Sequence, residues 1–363
     1  MAISRAMVQT APRKLELREL EIPEIGRDDA LLRVEACGIC GTDYELYDGA
    51  FPSLKLPLIP GHEPIGIIER IGPDAERRWG VREGDRVAVE PKVACGACRY
   101  CLSGSHRLCS APGSTSYGIT PLEIPPALWG GYATHMRLAP RSVVHKVSTR
   151  IAAPIAVLFN PLAAGIRWAV QMPGTSIGDK VLILGPGQRG LASVIAAREA
   201  GASMIAVTGL ARDRAKLALA REFGATHTID VSHGDPVAAV RDITGGELVD
   251  VAVDVASFDP GTVVQAIEAV RPGGTVVLAG AKGSNPVKEL LSDQIVNREL
   301  RILGARGVDY SSYALAVSVI ESGRYPIEKM HTHDVPLERA AYAIDLLAGR
   351  VTGESAIHVA IIP

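Results

Sequence analysis

Aromatic residues are scarce, at 4% of 363, and neither sign of charge is in excess: 38 Lys and Arg face 40 Asp and Glu, for a net charge of -2 with His neutral. Without a basic surplus there is no electrostatic footprint for nucleic acid, and no nucleic-acid partner is expected. No uninterrupted apolar run reaches membrane-spanning length, so no membrane association is expected either. The opening MAISRAMVQTAPRKLELRE lacks the apolar block of a signal peptide. These absences point to a soluble, cytoplasmic protein. Cysteine is also sparse, with six in the chain. In a reducing compartment those six are expected as thiolates or metal ligands rather than disulfides.

What is present is a large apolar fraction, 47%, and 37 glycines. The first excludes a disordered chain, and the second suits a fold with many tight crossings between strands and helices. Up to about residue 155, short apolar runs are broken by Gly, Pro and charge. ALLRVEA (30–36), PIGIIERIG (64–72) and GDRVAVEP (84–91) read as strands of a partly rolled sheet. The segment 111–131, rich in Pro and Gly, reads as a long loop whose Ile119, Leu122, Leu128 and Trp129 either wall an apolar pocket or pack.

From residue 161 the texture changes. LAAGIRWAVQM (162–172) has helical spacing, and KVLILGPGQRG (180–190) is a buried strand entering a glycine turn. Strand and helix patterns then alternate through MIAVTG, ARDRAKLALAREFG, THTIDV, PVAAVRDI, VDVAVDV, GTVVQAIEAV, TVVLAG and RILGAR. Such alternation predicts a parallel, doubly wound sheet. The stretch 308–363 breaks the rhythm, with two helices (312–321, 336–348) and a closing strand IHVAII, and is expected to fold back onto the first half. His331 and His333, in HTHDVP, are expected on a solvent-exposed loop.

GPGQRG (185–190) matches G-x-G-x-x-G between a strand and a helix, the setting that gives the string meaning. Gly185 permits the tight turn, Gly187 lets a pyrophosphate approach, and Gly190 lets helix and sheet pack. Gln188 and Arg189 open the helix whose free N–H groups would face phosphate. A carboxylate normally ends the second strand and holds the adenosine ribose. Here that strand ends in Thr208 and Gly209, and Arg212 follows, so charge logic favours NADP over NAD.

Cys95, Cys98, Cys101 and Cys109 are separated by two, two and seven residues. Four thiolates on one loop suit a closed tetrahedral zinc that holds structure without reacting. An iron–sulfur cluster is the rival, since the first two gaps resemble cluster ligation. Upstream lie CGICGTD (37–43) and PGHEPIG (60–66).

Taken in order, GICGTD, GHE, the cysteine lobe, a ligand position before PLA, and GPGQRG resemble the zinc-containing medium-chain alcohol and polyol dehydrogenases over nearly the whole chain. The resemblance implies a Rossmann doubly wound domain (161–307) inserted into a β-rich, GroES-like catalytic domain (1–160 and 308–363) with a zinc lobe at about 92–112. It implies one catalytic and one structural zinc, a small alcohol or carbonyl substrate, and a homodimer or homotetramer. Cys40 and His62 match the first two ligands of the active zinc, which would lie between the domains. Thr42 matches the hydroxyl that takes the substrate proton, and Asp43 the carboxylate that orients the ligand histidine. Glu63 matches a glutamate that can join the metal, and Glu45 stands where a relay histidine often does. Cys37 matches no ligand and reads as a small core residue.

One position departs from the family. Cys or Glu usually precedes PLA, whereas this chain has Asn160. Thiolate, imidazole and neutral amide leave a zinc site near +1, so a more labile metal is expected. The expected reaction is reversible oxidation of an alcohol to an aldehyde or ketone with hydride transfer to NAD(P). A zinc-free or zinc-impaired reductase and a non-enzymatic nucleotide sensor are the alternatives.

Overall fold

The computed structural model describes residues 2–363. The chain divides into two compact units, Met1–Asn160 with Asp309–Pro363, and Pro161–Val308.

In the central unit, six strands form one parallel sheet in the order His227–Asp230, Met204–Gly209, Lys180–Leu184, Val249–Asp254, Val270–Leu278, Arg301–Gly304. Val181 to Leu184 are all buried, as expected of a strand covered on both faces. Helices Gln188–Glu199, Arg214–Phe223, Pro236–Ile243 and Gly261–Ala269 return the chain between strands. The strand order reverses beside Lys180–Leu184, and in such sheets ligands bind where that reversal meets the carboxyl ends.

The other unit holds a seven-stranded sheet in the order His331–Pro336, His358–Ile362, Ala30–Gly38, Glu63–Ile71, Arg86–Val89, Val144–Lys146, with His135–Leu138 pairing with Ala30–Gly38 outside this path. Ala30–Gly38 and Glu63–Ile71 run antiparallel with Gly38 opposite Glu63, so the GICGTD and GHE segments emerge side by side. A short ladder, Lys92–Val93 with Thr115–Ser116, brackets the cysteine lobe.

One expectation needs correction. His331 and His333 are not on an exposed loop: HTHDVP is a strand parallel to His358–Ile362, and the His331 Nδ1 lies 3.0 Å from the His358 Nδ1. Burial, reinforced by His331, lowers the His358 pKa to about 3. The 111–131 segment is largely irregular as expected, and of its two readings packing holds for Leu128 and Trp129, which belong to hydrophobic clusters. The helical run Ala153–Gln171, with 19 residues and mean hydropathy 1.4, is long and apolar enough to cross a bilayer by length and composition alone. It escapes a search for uninterrupted runs because Pro154, Asn160, Pro161 and Arg167 interrupt it. Since 78% of its apolar window is buried, it serves as core helix.

Candidate metal centres and nucleotide turn

Cys40 follows the strand Ala30–Gly38 and caps the short helix Gly41–Tyr47. Its sulfur accepts from the Thr42 N–H at 3.3 Å, while its own N–H donates to the Asp43 carboxylate at 2.9 Å. This reciprocal cap fixes the sulfur's direction. His62, just before the strand Glu63–Ile71, presents Nε2 to the Cys40 sulfur at 3.2 Å and to the Glu63 Oε1 at 3.8 Å. Its Nδ1 faces the buried Asp43 Oδ1 at 3.3 Å. That division of labour suits a metal-binding imidazole, with one nitrogen oriented by a carboxylate and the other turned to the metal.

Ligand atoms of Cys40, His62 and Glu63 all lie within 4.8 Å of one another, close enough for one ion. The Glu63 carboxylate occupies space that Gly38 leaves open: a Cβ on Gly38 would come 2.7 Å from the Glu63 Oε2 and 3.3 Å from the His358 Nε2. Asn160 is buried, and its amide nitrogen donates to the Tyr313 hydroxyl at 3.3 Å. Thr42 and Glu45 are half-buried on the Gly41–Tyr47 helix. Tyr132, which the sequence reading missed, is fully buried with its ring against Gly61, and the charges of Asp43, Cys40 and Glu63 help raise its pKa, after burial itself. Cys37 is fully buried in the core and stands outside the cluster.

Burial opposes protonation of His62, but Asp43 and Cys40 outweigh it and hold its pKa well above the usual histidine range. That shift favours a proton on the metal-free imidazole, which a metal must displace. Metal binding at Cys40 and His62 should release protons and weaken as pH falls. Calorimetry in buffers of different ionisation enthalpy measures this; a pH-independent affinity between pH 6 and 8 would contradict it.

In the lobe, the Cys98 and Cys101 sulfurs are 3.5 Å apart and those of Cys95 and Cys101 3.8 Å, with all four ligand atoms within 4.8 Å. A tetrahedron of sulfurs around zinc, at about 2.3 Å each, has edges of about 3.8 Å. The spacing fits one ion, is too wide for a disulfide, and is too narrow for a multi-iron cluster. The N–H groups of Ala97 and Cys98 lower the Cys95 pKa. At Cys109 burial works the other way, but the N–H groups of Cys95 and Ala111 prevail and hold it at about 6. Burial pushes Cys101 up to about 11, a proton that a metal would displace.

The turn after Lys180–Leu184 has Gly185 at φ 104°. A Cβ on Gly190 would lie 1.9 Å from the Gly185 carbonyl oxygen, whereas a Cβ on Gly187 would meet nothing within 4 Å. Gly190 is thus required by packing, and Gly187 leaves open approach at the start of the helix Gln188–Glu199. Gln188 is buried, and the Arg189 guanidinium lies over the Trp168 ring at 5.1 Å. Thr208 and Gly209 end the next strand, and a Cβ on Gly209 would come 2.9 Å from Pro186. Arg212 is exposed. The nearby Asp213 carboxylate accepts from the Leu210 N–H at 3.2 Å and pairs with Lys216 at 3.0 Å. Sequence reading also missed Asp254, buried at the end of the central strand and paired with Lys282 at 2.8 Å. Its partner lies 28 positions away, so no local signal marks it.

Replacing Gly187 by Ala should leave thermal stability nearly unchanged and weaken dinucleotide binding. Gly190→Ala should lower stability as well. Melting temperatures and cofactor titrations separate the two; equal effects on both would refute the distinction.

Two family descriptions match: "Alcohol dehydrogenase GroES-like domain" over residues 26–149 and "Zinc-binding dehydrogenase" over 190–322. The protein named "Probable alcohol dehydrogenase adh" of Mycobacterium tuberculosis is 47% identical, covering 100% of this chain and 99% of its own. Erythritol/L-threitol dehydrogenase of Mycolicibacterium smegmatis is 31% identical, over 99% and 97% of the two chains. Among solved structures, a zinc-binding dehydrogenase target from Sinorhizobium meliloti 1021 bound to NADP superposes with TM-score 0.87 at 31% identity, over 100% of both chains. An alcohol dehydrogenase from Thermotoga maritima gives TM-score 0.90 at 28% identity, also over 100% of both.

Proposed function

The chain belongs to the zinc-binding medium-chain dehydrogenase/reductase family, and from that premise we propose how its own residues carry the reaction. It is an NAD(P)-dependent oxidoreductase acting on alcohols and aldehydes. The observation that carries the residue assignment is the cluster of Cys40, His62 and Glu63, with Asp43 behind the imidazole. Zinc bound there supplies a Lewis acid that lowers the proton affinity of the substrate oxygen, and the nicotinamide supplies the hydride acceptor. Cys40 and His62 hold the metal, with Asn160 as third ligand and Glu63 able to join or replace it. Thr42 takes the alcohol proton, and Glu45, three residues on and so on the same face of the helix, passes it to solvent. Asp43 keeps His62 in the tautomer that leaves Nε2 free. The four cysteines of the lobe hold a second, structural zinc.

NADP is the proposed cofactor. Gly209 brings no carboxylate to repel a 2'-phosphate, the Asp213 carboxylate is engaged by Leu210 and Lys216, and Arg212 is exposed nearby. The Sinorhizobium relative's structure contains NADP. A homodimer or homotetramer is the proposed assembly. Arg301–Gly304 ends the six-stranded sheet with one side open, and the exposed Leu290, Leu291 and Val296 lie just before it in the chain. A cytoplasmic location agrees with six free cysteines.

Steady-state kinetics with both cofactors and a panel of alcohols tests the reading. Arg212→Ala should weaken NADP about tenfold or more relative to NAD, since a hydrogen bond to a charged group contributes roughly 1.5–3 kcal/mol. A clear NAD preference in the unaltered protein would reverse the assignment.

Mild chelation should remove one metal per chain together with activity and leave the lobe's metal in place. Asn160→Glu should slow that removal, because a carboxylate adds charge that a neutral amide lacks. If Asn160→Glu leaves the rate of metal loss unchanged, Asn160 is not a ligand.

A further inference from the structure

Asn160 and the cysteine lobe are joined by an unbroken series of side-chain contacts. His106 sits in the turn His106–Leu108, between Cys101 and Cys109. Its Nε2 meets the Glu90 Oε2 at 2.8 Å, and the Glu90 Oε1 meets the His145 Nε2 at 2.8 Å. Glu90 is 1% exposed, so its carboxylate is held by two imidazoles with little access to water. The His145 ring packs against Tyr310 and Tyr313, with centroids 4.8 and 5.7 Å away. Tyr313 is flanked on another side by Phe159, at 5.7 Å, and its hydroxyl receives the Asn160 amide N–H at 3.3 Å.

A second tie runs in parallel. Arg107, next to His106, reaches both oxygens of Asp309 at 2.5 and 2.6 Å, and Asp309 immediately precedes the helix Tyr310–Ser322 that carries both tyrosines. The lobe thus grips the first turn of that helix at two points, and the helix presents Tyr313 to Asn160. An amide can bind a metal through its oxygen but not through its protonated nitrogen. Giving the nitrogen to Tyr313 leaves the oxygen as the atom that can serve as ligand.

We propose that Tyr313 is a positioning residue for the active metal: held by the cysteine lobe through His106, Glu90 and His145, it fixes the rotamer of Asn160 that offers oxygen to the metal. The inference rests on the reading of Asn160 as third ligand. It gives the lobe a role beyond holding its own loop, since an ordered lobe stabilises ligation at the other centre. The polar contacts link residues far apart in sequence, with His106 to Glu90 separated by 16 positions and Asn160 to Tyr313 by 153.

The test measures zinc release from the zinc-loaded protein to a chromogenic chelator, which resolves a fast phase from the active centre and a slow phase from the lobe. Tyr313→Phe keeps the ring and removes only the hydroxyl. It should quicken the fast phase roughly three- to tenfold, the worth of one neutral hydrogen bond, and leave the slow phase unchanged. His106→Gln, which loosens the series without touching the tyrosine, should also quicken the fast phase. Neither change should add anything in the Asn160→Ala background, and the cobalt-substituted protein should show the same shift in its visible spectrum for Tyr313→Phe and Asn160→Ala. If Asn160→Ala itself leaves the fast phase unchanged, the ligand reading falls and the inference with it. If Asn160→Ala quickens release but Tyr313→Phe does not, or if the two effects add, Asn160 stands as ligand and Tyr313 is not its positioner.

Discussion

A sulfur and an imidazole nitrogen held 3.2 Å apart, Cys40 against His62, are the contact on which the candidate active centre depends. Left to themselves, two such groups and the nearby carboxylates of Asp43 and Glu63 would not gather where Cys40, Asp43 and Glu63 are almost fully buried. The backbone enforces the meeting. Antiparallel pairing of Gly38 with Glu63 brings the ends of two strands together, and the cap on the Gly41–Tyr47 helix turns the Cys40 sulfur inward. A buried, electron-rich group of this kind is a candidate cation site.

The lobe solves a related problem differently. Its sulfurs are supported by backbone N–H groups and form a closed set of four, so a metal there has every position filled. The cluster at Cys40 brings together Cys40, His62 and Glu63, and the proposed reading gives the position they leave to a substrate oxygen. In the proposed reading, closure suits one centre to a structural ion and incompleteness suits the other to reaction. The same logic separates Gly190 from Gly187 in the nucleotide turn: one glycine is fixed by a carbonyl that a Cβ would strike, the other by the space left beside it.

Much of this was legible in the sequence because it is encoded locally. The strand, glycine turn and helix around GPGQRG need only adjacent residues, and the cysteine spacing suggests its own closed site. HTHDVP was misread because it carries no run of alternating apolar residues; it becomes a strand through pairing with His358–Ile362, a partner that lies downstream. The fate of Leu128 and Trp129 depended on which clusters surrounded them, which a loop-like composition does not reveal. His358, Tyr132 and the series from His106 to Tyr313 were invisible for the same reason: each acquires meaning only from side chains brought near by the sheet. Asn160 was singled out as a departure from the family pattern, but its hydrogen bond to Tyr313 is a tertiary fact.

The central claim is that two metal centres are built on separate ligand sets and that the Cys40–His62 centre alone supports alcohol oxidation. Zinc content per chain, measured together with alcohol-dependent cofactor reduction on the unaltered protein and on Cys40→Ser, tests it most directly. The account predicts two zinc ions and activity in the first, and in the second one zinc, a folded chain and no activity. Full activity in Cys40→Ser, or loss of both metals with the fold intact, would contradict it.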